Sequence, residues 1–230
     1  MNNLEIFCRQ FFELGGYKNF FKGLSNTASI AVFGLLIGFL LGCIIATVKI
    51  IPSKNPIVLI AKALGDTYVA IFRGTPMVVQ LLLIHFAVFP ALRINIESVS
   101  EAVIIFGLNS GAYMSEILRS GINAVDKGQM EAGRSLGLSF ETTMLRIILP
   151  QAIKNILPTL GNEFIALIKE TSVVSFIAVV DITKSFQNIA ASTYEYFVPY
   201  IVLAFVYLFL VLLITWLIKI MEKRLKKNER

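Results

Sequence analysis

The stretch GLSNTASIAVFGLLIGFLLGCIIATV, residues 23–48, decides the fold class of this chain. It contains 26 residues and no charged side chain. A helix of that length rises about 39 Å, which exceeds the thickness of a bilayer's hydrocarbon core, about 30 Å. A second charge-free run covers the 23 residues from Tyr196 to Ile218. Both runs predict transmembrane helices.

The composition agrees with this prediction. The 230 residues are 56% hydrophobic and 16% charged, which is too apolar for a soluble domain of this size. Residues 1–22 lack the features of a secretory signal, and their phenylalanines and basic residues predict an amphipathic interfacial segment, with an irregular polar leader as the alternative. Cys8, Cys43 and the single His85 predict neither a disulfide framework nor a metal site.

Three further membrane segments are predicted at 74–92, 98–121 and 150–180, which makes an all-α membrane protein with five transmembrane helices. The basic C-terminal tail places the C-terminus in the cytoplasm and the N-terminus outside. Fifteen of the 21 lysines and arginines then lie on the cytoplasmic side, and the two outer loops hold only Arg93 and Lys184. This distribution explains the net charge of +6 without a nucleic-acid partner.

The longest predicted cytoplasmic loop, about 122–149, contains the most specific motif. Residues 131–150 read EAGRSLGLSFETTMLRIILP, and the spacing of Glu131, Gly137 and Pro150 is similar to the EAA motif of permease subunits of bacterial ABC importers. One departure is Gly133, where the family usually has alanine. The stretches RGTPMVVQ (73–80), NSGAYMSEILRSGINAV (109–125) and LPQAIKNILPTLGNEFIALIKETSV (149–173) also resemble the polar amino acid type of importer.

The resemblance implies a type I permease fold at the bacterial cytoplasmic membrane, with a transmembrane domain at 23–222 and a basic cytoplasmic tail at 223–230. It also implies three protein partners: a separate ATP-binding cassette ATPase, a second permease subunit, identical or paralogous, and an extracytoplasmic substrate-binding protein. The chain has no phosphate-binding loop of the form G-x-x-x-x-G-K-[ST], so ATP and magnesium are expected on the ATPase and no cofactor on this chain.

A short helix in this loop is predicted to dock into a groove of the ATPase and to transmit its motion to the spans. The residues assigned to it are Glu131, Ala132, Gly133, Arg134 and Gly137, with Gly137 ending the helix. The alternative from spacing alone is an ordinary amphipathic connector on the bilayer surface.

Ionisable groups inside a span are costly, so the polar residues of segment 150–180 mark a candidate passage. Thr159, Asn162 and Glu163 share one helix face and are predicted to bind substrate. In having a carboxylate at position 163, the chain resembles family members that transport cationic amino acids, which implies that Glu163 binds the substrate's cationic group. The alternative is that Glu163 forms an ion pair within the protein. Lys169 and Glu170 match the family's K-[DE]-T-S pattern, which implies gating or architecture, and Pro150 is expected to be structural.

A second polar stripe, Asn109, Tyr113, Glu116 and Ser120, follows helical spacing along segment 98–121. Asn109 and Tyr113 are predicted to line the same passage. Hydrogen bonding between helices is the equal alternative.

The sequence RGTP at 73–76 interrupts an apolar stretch from Ile57 to Leu92 that is too long for one straight span. We predict a break there, with Gly74 allowing the turn, Thr75 as N-cap and Pro76 at the first helical position. The resulting helix N-terminus makes Gly74 and Thr75 candidate partners for a substrate carboxylate. A purely structural hinge is the alternative.

Together these features predict the membrane subunit of an ATP-driven importer for polar amino acids. We expect the substrates to be cationic, such as arginine, histidine or lysine. A carrier driven by an ion gradient is the alternative, since it would show the same polar stripes without needing the docking loop. A membrane enzyme is disfavoured because the chain offers no nucleophile with a matched base.

Overall fold

The computed structural model describes residues 2–227, with side chains described up to Arg224. The last three residues of the predicted basic tail, 228–230, lie outside the described residues. The described part is helical apart from short connections. Eleven α-helices follow one another: α1 Asn3–Cys8, α2 Gly16–Ile50, α3 Pro56–Gly74, α4 Met77–Leu83, α5 Phe89–Ala91, α6 Ser98–Asn123, α7 Lys127–Ser135, α8 Phe140–Thr143, α9 Leu149–Glu170, α10 Ile182–Thr193 and α11 Phe197–Lys227.

Several connections are themselves helical. A π-helical turn follows α1 at Arg9–Glu13, another joins α4 to α5 at Ile84–Val88, and a third joins α8 to α9 at Met144–Ile148. Helices α4 and α5 therefore form one continuous rod, and helices α8 and α9 form another.

The centre of the fold is the contact between α2 and α6, which run parallel. A Cβ atom at Gly38 would lie 2.6 Å from the Cβ of Ser110, and one at Gly42 would lie 2.5 Å from the Cβ of Met114. These glycines therefore let the two backbones approach closely, as small residues do in membrane helix pairs. Helix α9 packs antiparallel on α6: Ile156 lies against Gly121 near the end of α6, and Leu167 shares a core cluster with Phe106 nearer its start.

Two helices of the described part, Gly16–Ile50 and Phe197–Arg224, are long and apolar enough to cross a membrane. The pair Pro56–Gly74 and Met77–Ala91 adds a third crossing if the two helices form one broken span. Helices α6 and α9, which carry charged residues, are not among these apolar helices. The count of five spans therefore stays a prediction, as does the orientation.

Two boundaries differ from those expected. Helix α2 begins at Gly16, so residues 16–22, predicted as part of the interfacial segment, belong to the same helix as residues 23–48. Helix α9 ends at Glu170, where the chain tightens into a 3-10 helix at Thr171–Ile177. Helix α10 follows this 3-10 helix, in the region that was expected to be an outer loop.

Helix α10 is held tightly to the start of α2. The Asn26 amide donates to the Val180 carbonyl at 2.8 Å, and a Cβ atom at Gly23 would lie 2.4 Å from the Asp181 carbonyl oxygen. Asp181 is fully buried and caps α10 through the backbone N–H groups of Thr183 and Lys184. Because its buried face also carries Phe186 and Ile189, α10 is an integral part of the core.

Candidate functional site

The predicted break at RGTP is present, but its geometry differs from the expectation. Helices α3 and α4 meet at 107°, and Arg73 lies at the end of α3. Thr75 does not cap α4: it is the C-cap of α3, and its hydroxyl donates back to the Ile71 carbonyl at 2.8 Å. Pro76 is the N-cap instead, and its carbonyl accepts from Gln80 N at 3.2 Å.

Gly74 does not provide the turn either. It is the last residue of α3 and is not among the glycines with positive φ. The turn is made by Thr75 and Pro76, which are both extended, with φ and ψ of −124° and 146° and of −64° and 141°. A proline-fixed φ is sufficient for this geometry, so glycine is not needed.

Gln80 braces the break from inside. Its side chain is buried, and its amide nitrogen donates to the carbonyls of Phe72 and Thr75 at 2.8 and 2.9 Å and to the Thr75 hydroxyl at 2.8 Å. Its amide oxygen accepts from Asn109 of α6 at 2.9 Å. Asn109 therefore points into a buried network and is 4% exposed, so the hydrogen-bonding alternative describes it better than a passage-lining role.

A cluster of charges joins the middle of α3 to the C-terminal parts of α2 and α6. Glu116 is at its centre: Lys49 donates to one carboxylate oxygen at 2.9 Å, and Arg119 donates to both at 2.7 and 3.2 Å. Lys49 also pairs with Asp66 of α3 at 2.7 Å. We refer to Lys49, Asp66, Glu116 and Arg119 as the charge cluster.

Two adjoining cavities open on either side of this cluster. The first, about 360 Å³, lies between α6 and α9 and is lined by Tyr113, Ser120 and Thr159 among others. The second, about 470 Å³, lies toward α3 and includes Lys62 and Asp66. Arg73, Glu116 and Arg119 line both cavities, so the same charged side chains border the two spaces.

Arg73 was not predicted as a site residue, although it lies in a quoted motif. Its guanidinium carbon is 5.4 Å from the centroid of the Tyr113 ring, which is within the range of a cation–π contact. Its nearest carboxylate oxygen belongs to Glu116, 3.8 Å away. Tyr113, predicted on the passage, thus lies in the cavity and supports this arginine.

The polar residues of α9 point away from the core of the chain. Thr159 lines the first cavity, Asn162 is exposed, and Glu163 is partly buried. Within residues 2–227, Glu163 forms no ion pair and no hydrogen bond, and the charged groups that act on it electrostatically are Glu170 and Arg73. The internal ion pair considered for Glu163 is therefore absent from the described residues.

The residues assigned to gating or architecture lie at the two ends of this rod. Lys169 and Glu170 are exposed in the last turn of α9. Pro150 lies at the junction where the π-helical turn Met144–Ile148 passes into α9.

Helix α7 forms the predicted short helix of the long loop. The Asp126 carboxylate accepts from Gly128 N at 2.6 Å and caps its start. Gly137, with φ of 82°, ends it, and the N–H groups of Gly137 and Leu138 bond to the carbonyls of Arg134 and Gly133. This is a Schellman motif, so the predicted end at Gly137 is confirmed.

The exposed face of α7 carries Glu131, Ala132 and Arg134. Gly133 faces the protein instead, where a Cβ atom would lie 2.6 Å from the Cγ2 of buried Thr143. The departure from alanine at this position therefore has a local cause, since Thr143 occupies the space of the missing methyl group.

The Nδ1 atom of His85 is hydrogen-bonded to Glu101 in the first turn of α6. The pair joins the π-helical turn after α4 to α6. The sequence did not predict roles for Gln80, Lys49, Asp66 or the His85–Glu101 pair, because their partners lie on other helices. The signal that could have identified them is a single polar side chain within a largely apolar stretch.

Comparisons with known proteins agree with this architecture. Residues 34–227 match the family described as binding-protein-dependent transport system inner membrane component. The arginine transport system permease protein ArtQ of Bacillus subtilis (strain 168) is 40% identical over 208 residues, which are 90% of this chain and 93% of that protein.

Solved structures show the same fold. A crystal structure of an amino acid ABC transporter with histidines is 42% identical and has a TM-score of 0.82, covering 93% of this chain and 98% of that chain. An inward-facing structure of the MetNI methionine ABC transporter is 14% identical and has a TM-score of 0.70, covering 91% of this chain and 95% of that chain. The second similarity concerns the fold alone.

Proposed function

Because this chain belongs to the inner membrane components of binding-protein-dependent transport systems, we propose that it is the membrane subunit of an ATP-driven importer of polar, cationic amino acids. The observation that carries this proposal is helix α7. It is capped at both ends, it joins two packed helices, and its outer face presents Glu131 and Arg134 to solvent. A helix held this way suits docking into a groove of a cytosolic ATPase.

We further propose five spans with the N-terminus outside: α2, the α4–α5 rod, α6, α9 and α11. Two features of the packing support this alternation. Helices α2 and α6 run parallel, as a first and a third span must, and α9 runs antiparallel to α6. The loop that contains α7 then lies in the cytoplasm between the third and the fourth span.

The substrate class rests on the α9 stripe. Glu163 is a partly buried carboxylate without a partner in the described chain, and Thr159 lies one helical turn before it in the wall of the first cavity. Such a carboxylate suits a guanidinium or ammonium group. The relative named for arginine transport supports the same class.

The proposed assembly contains two permease subunits, an ATPase that binds ATP and magnesium, and an extracytoplasmic protein that delivers the amino acid. The exposed polar face of α9 supports the second subunit, because Asn162, Lys169 and Glu170 would otherwise face lipid, where charged side chains are costly. A symmetric pair would enclose these groups.

Uptake in proteoliposomes tests the proposal against a carrier driven by an ion gradient. The assembled complex is compared with one in which the catalytic glutamate of the ATPase is replaced. We expect uptake of labelled arginine to fall to background in the replaced complex. Full uptake that follows an imposed ion gradient would reject the importer and favour the carrier.

Docking through α7 is tested by Glu131→Lys. Reversal of this exposed charge should abolish co-purification of the ATPase or reduce transport at least tenfold, while the permease stays folded. Glu13→Lys is the matched control, since Glu13 is an exposed glutamate of the N-terminal segment and forms only a 3.7 Å pair with Arg9. Normal co-purification and transport of Glu131→Lys would place the docking surface elsewhere.

A further inference from the structure

Arg73 differs from the other cations around the two cavities. Lys49 and Arg119 each donate hydrogen bonds to Glu116 at 2.9 Å or less, and Lys62 donates to the Ile51 carbonyl at 2.8 Å. Arg73 donates no hydrogen bond to any described residue, and its only carboxylate neighbour lies 3.8 Å away. Its donors are therefore available.

The backbone on both sides of Arg73 is held in place, whereas its guanidinium donors are free. The Gln80 amide bonds to the Phe72 carbonyl, the residue before Arg73, and to Thr75, two residues after it. The Tyr113 ring supports the face of the guanidinium at 5.4 Å. Contact with a ring face leaves the N–H groups of a guanidinium free to donate, and these groups bind a carboxylate with two parallel hydrogen bonds.

We propose that Arg73 binds the carboxylate of the transported amino acid while Glu163 receives its cationic end. This inference rests on the proposed function and names a binding residue within it. Arg73 lines the same cavity as Thr159, and Thr159 precedes Glu163 by one turn of α9.

The expected partners Gly74 and Thr75 are less suitable for this carboxylate. The Thr75 hydroxyl already donates to Ile71 and accepts from Gln80. The N-terminus of the α4–α5 rod offers only a partial positive charge. The Arg73 side chain supplies a full charge at the same break.

The test compares L-arginine with agmatine, which is arginine without its carboxylate. Binding of each labelled compound is measured to the purified permease–ATPase complex in the absence of the binding protein, and the ratio of the two Kd values is the readout. A charge-assisted pair predicts that wild type prefers L-arginine by about ten- to a hundredfold. Arg73→Gln should bring this ratio to within about threefold.

Three further measurements keep the test specific. Arg73→Gln should retain wild-type affinity for agmatine within about threefold, which also shows that the variant is folded. Arg73→Lys should have an intermediate ratio, because an ammonium keeps the charge but loses the paired geometry. Lys62→Gln, which removes a cation from the second cavity, should leave the ratio unchanged.

The outcomes separate this inference from the proposed function. If Arg73→Gln prefers L-arginine over agmatine as strongly as wild type does, Arg73 does not bind the carboxylate, and the importer proposal stands. If wild type binds neither compound nor any other cationic amino acid, the proposed substrate class fails, and the role of Arg73 fails with it.

Discussion

Helices α6 and α9 both carry a row of polar side chains, but the two rows differ in their partners. On α6, Asn109 is hydrogen-bonded to Gln80, and Glu116 is bound by Lys49 and Arg119. On α9, Thr159, Asn162 and Glu163 have no hydrogen-bonding or ion-pairing partner within residues 2–227. The first row holds the fold together, whereas the second is open to groups outside this chain.

The difference shows how a polar residue of a membrane helix can be assigned. A buried polar group without a partner costs free energy, so a protein either satisfies it internally or uses it for something that binds. Tyr113 lies between the two cases, because it belongs to the α6 row but faces the first cavity and supports Arg73. The comparison therefore predicts opposite results for matched substitutions on the two helices.

The largest effect on stability is expected for Glu116→Gln. This substitution leaves Lys49 and Arg119 partly buried without their shared carboxylate, which should lower the free energy of unfolding by about 3 kcal/mol. Thermal unfolding of the purified complex in lipid nanodiscs measures it. Glu163→Gln is the matched control on α9 and should change stability by less than about 0.5 kcal/mol. Equal destabilisation by both variants would remove the distinction.

A smaller loss is expected for Asn109→Leu. Leucine is similar in size but leaves the Gln80 amide oxygen buried without its donor, at a cost of about 1–3 kcal/mol. Asn162→Leu, at an exposed position of α9, should be neutral within about 0.5 kcal/mol. The same thermal measurement distinguishes them, and a neutral Asn109→Leu would show that the network does not brace the break.

Much of the fold follows from the sequence because a long run without charged residues can hardly form anything but a membrane-spanning helix. The cores of α2 and α11 and the break after Arg73 were predictable from length and charge alone. The end of α7 at Gly137 followed from the demand of a left-handed residue for glycine. The family motifs in the loop and its flanks predicted the type I permease fold, which the solved structures share.

The details of the site were less predictable because helical spacing gives the face of a residue and not its partner. Asn109 and Glu163 show equivalent patterns in sequence, but Asn109 bonds to Gln80, whereas Glu163 has no partner among the described residues. Thr75 has the residue type of an N-cap, yet its hydroxyl bonds to the preceding helix, where the Ile71 carbonyl is free. Helix α10 was missed because its apolar positions span only three turns.

Glu163→Gln is expected to have the smallest effect on stability but a large effect on transport, and it tests the comparison of the two helices directly. The measurement is ATP hydrolysis by the reconstituted complex with and without saturating L-arginine and the binding protein. We predict wild-type assembly and basal hydrolysis, with stimulation by arginine reduced at least tenfold, because the cationic end of the substrate loses its carboxylate. Undiminished stimulation in Glu163→Gln would contradict the assignment of the α9 row to the substrate.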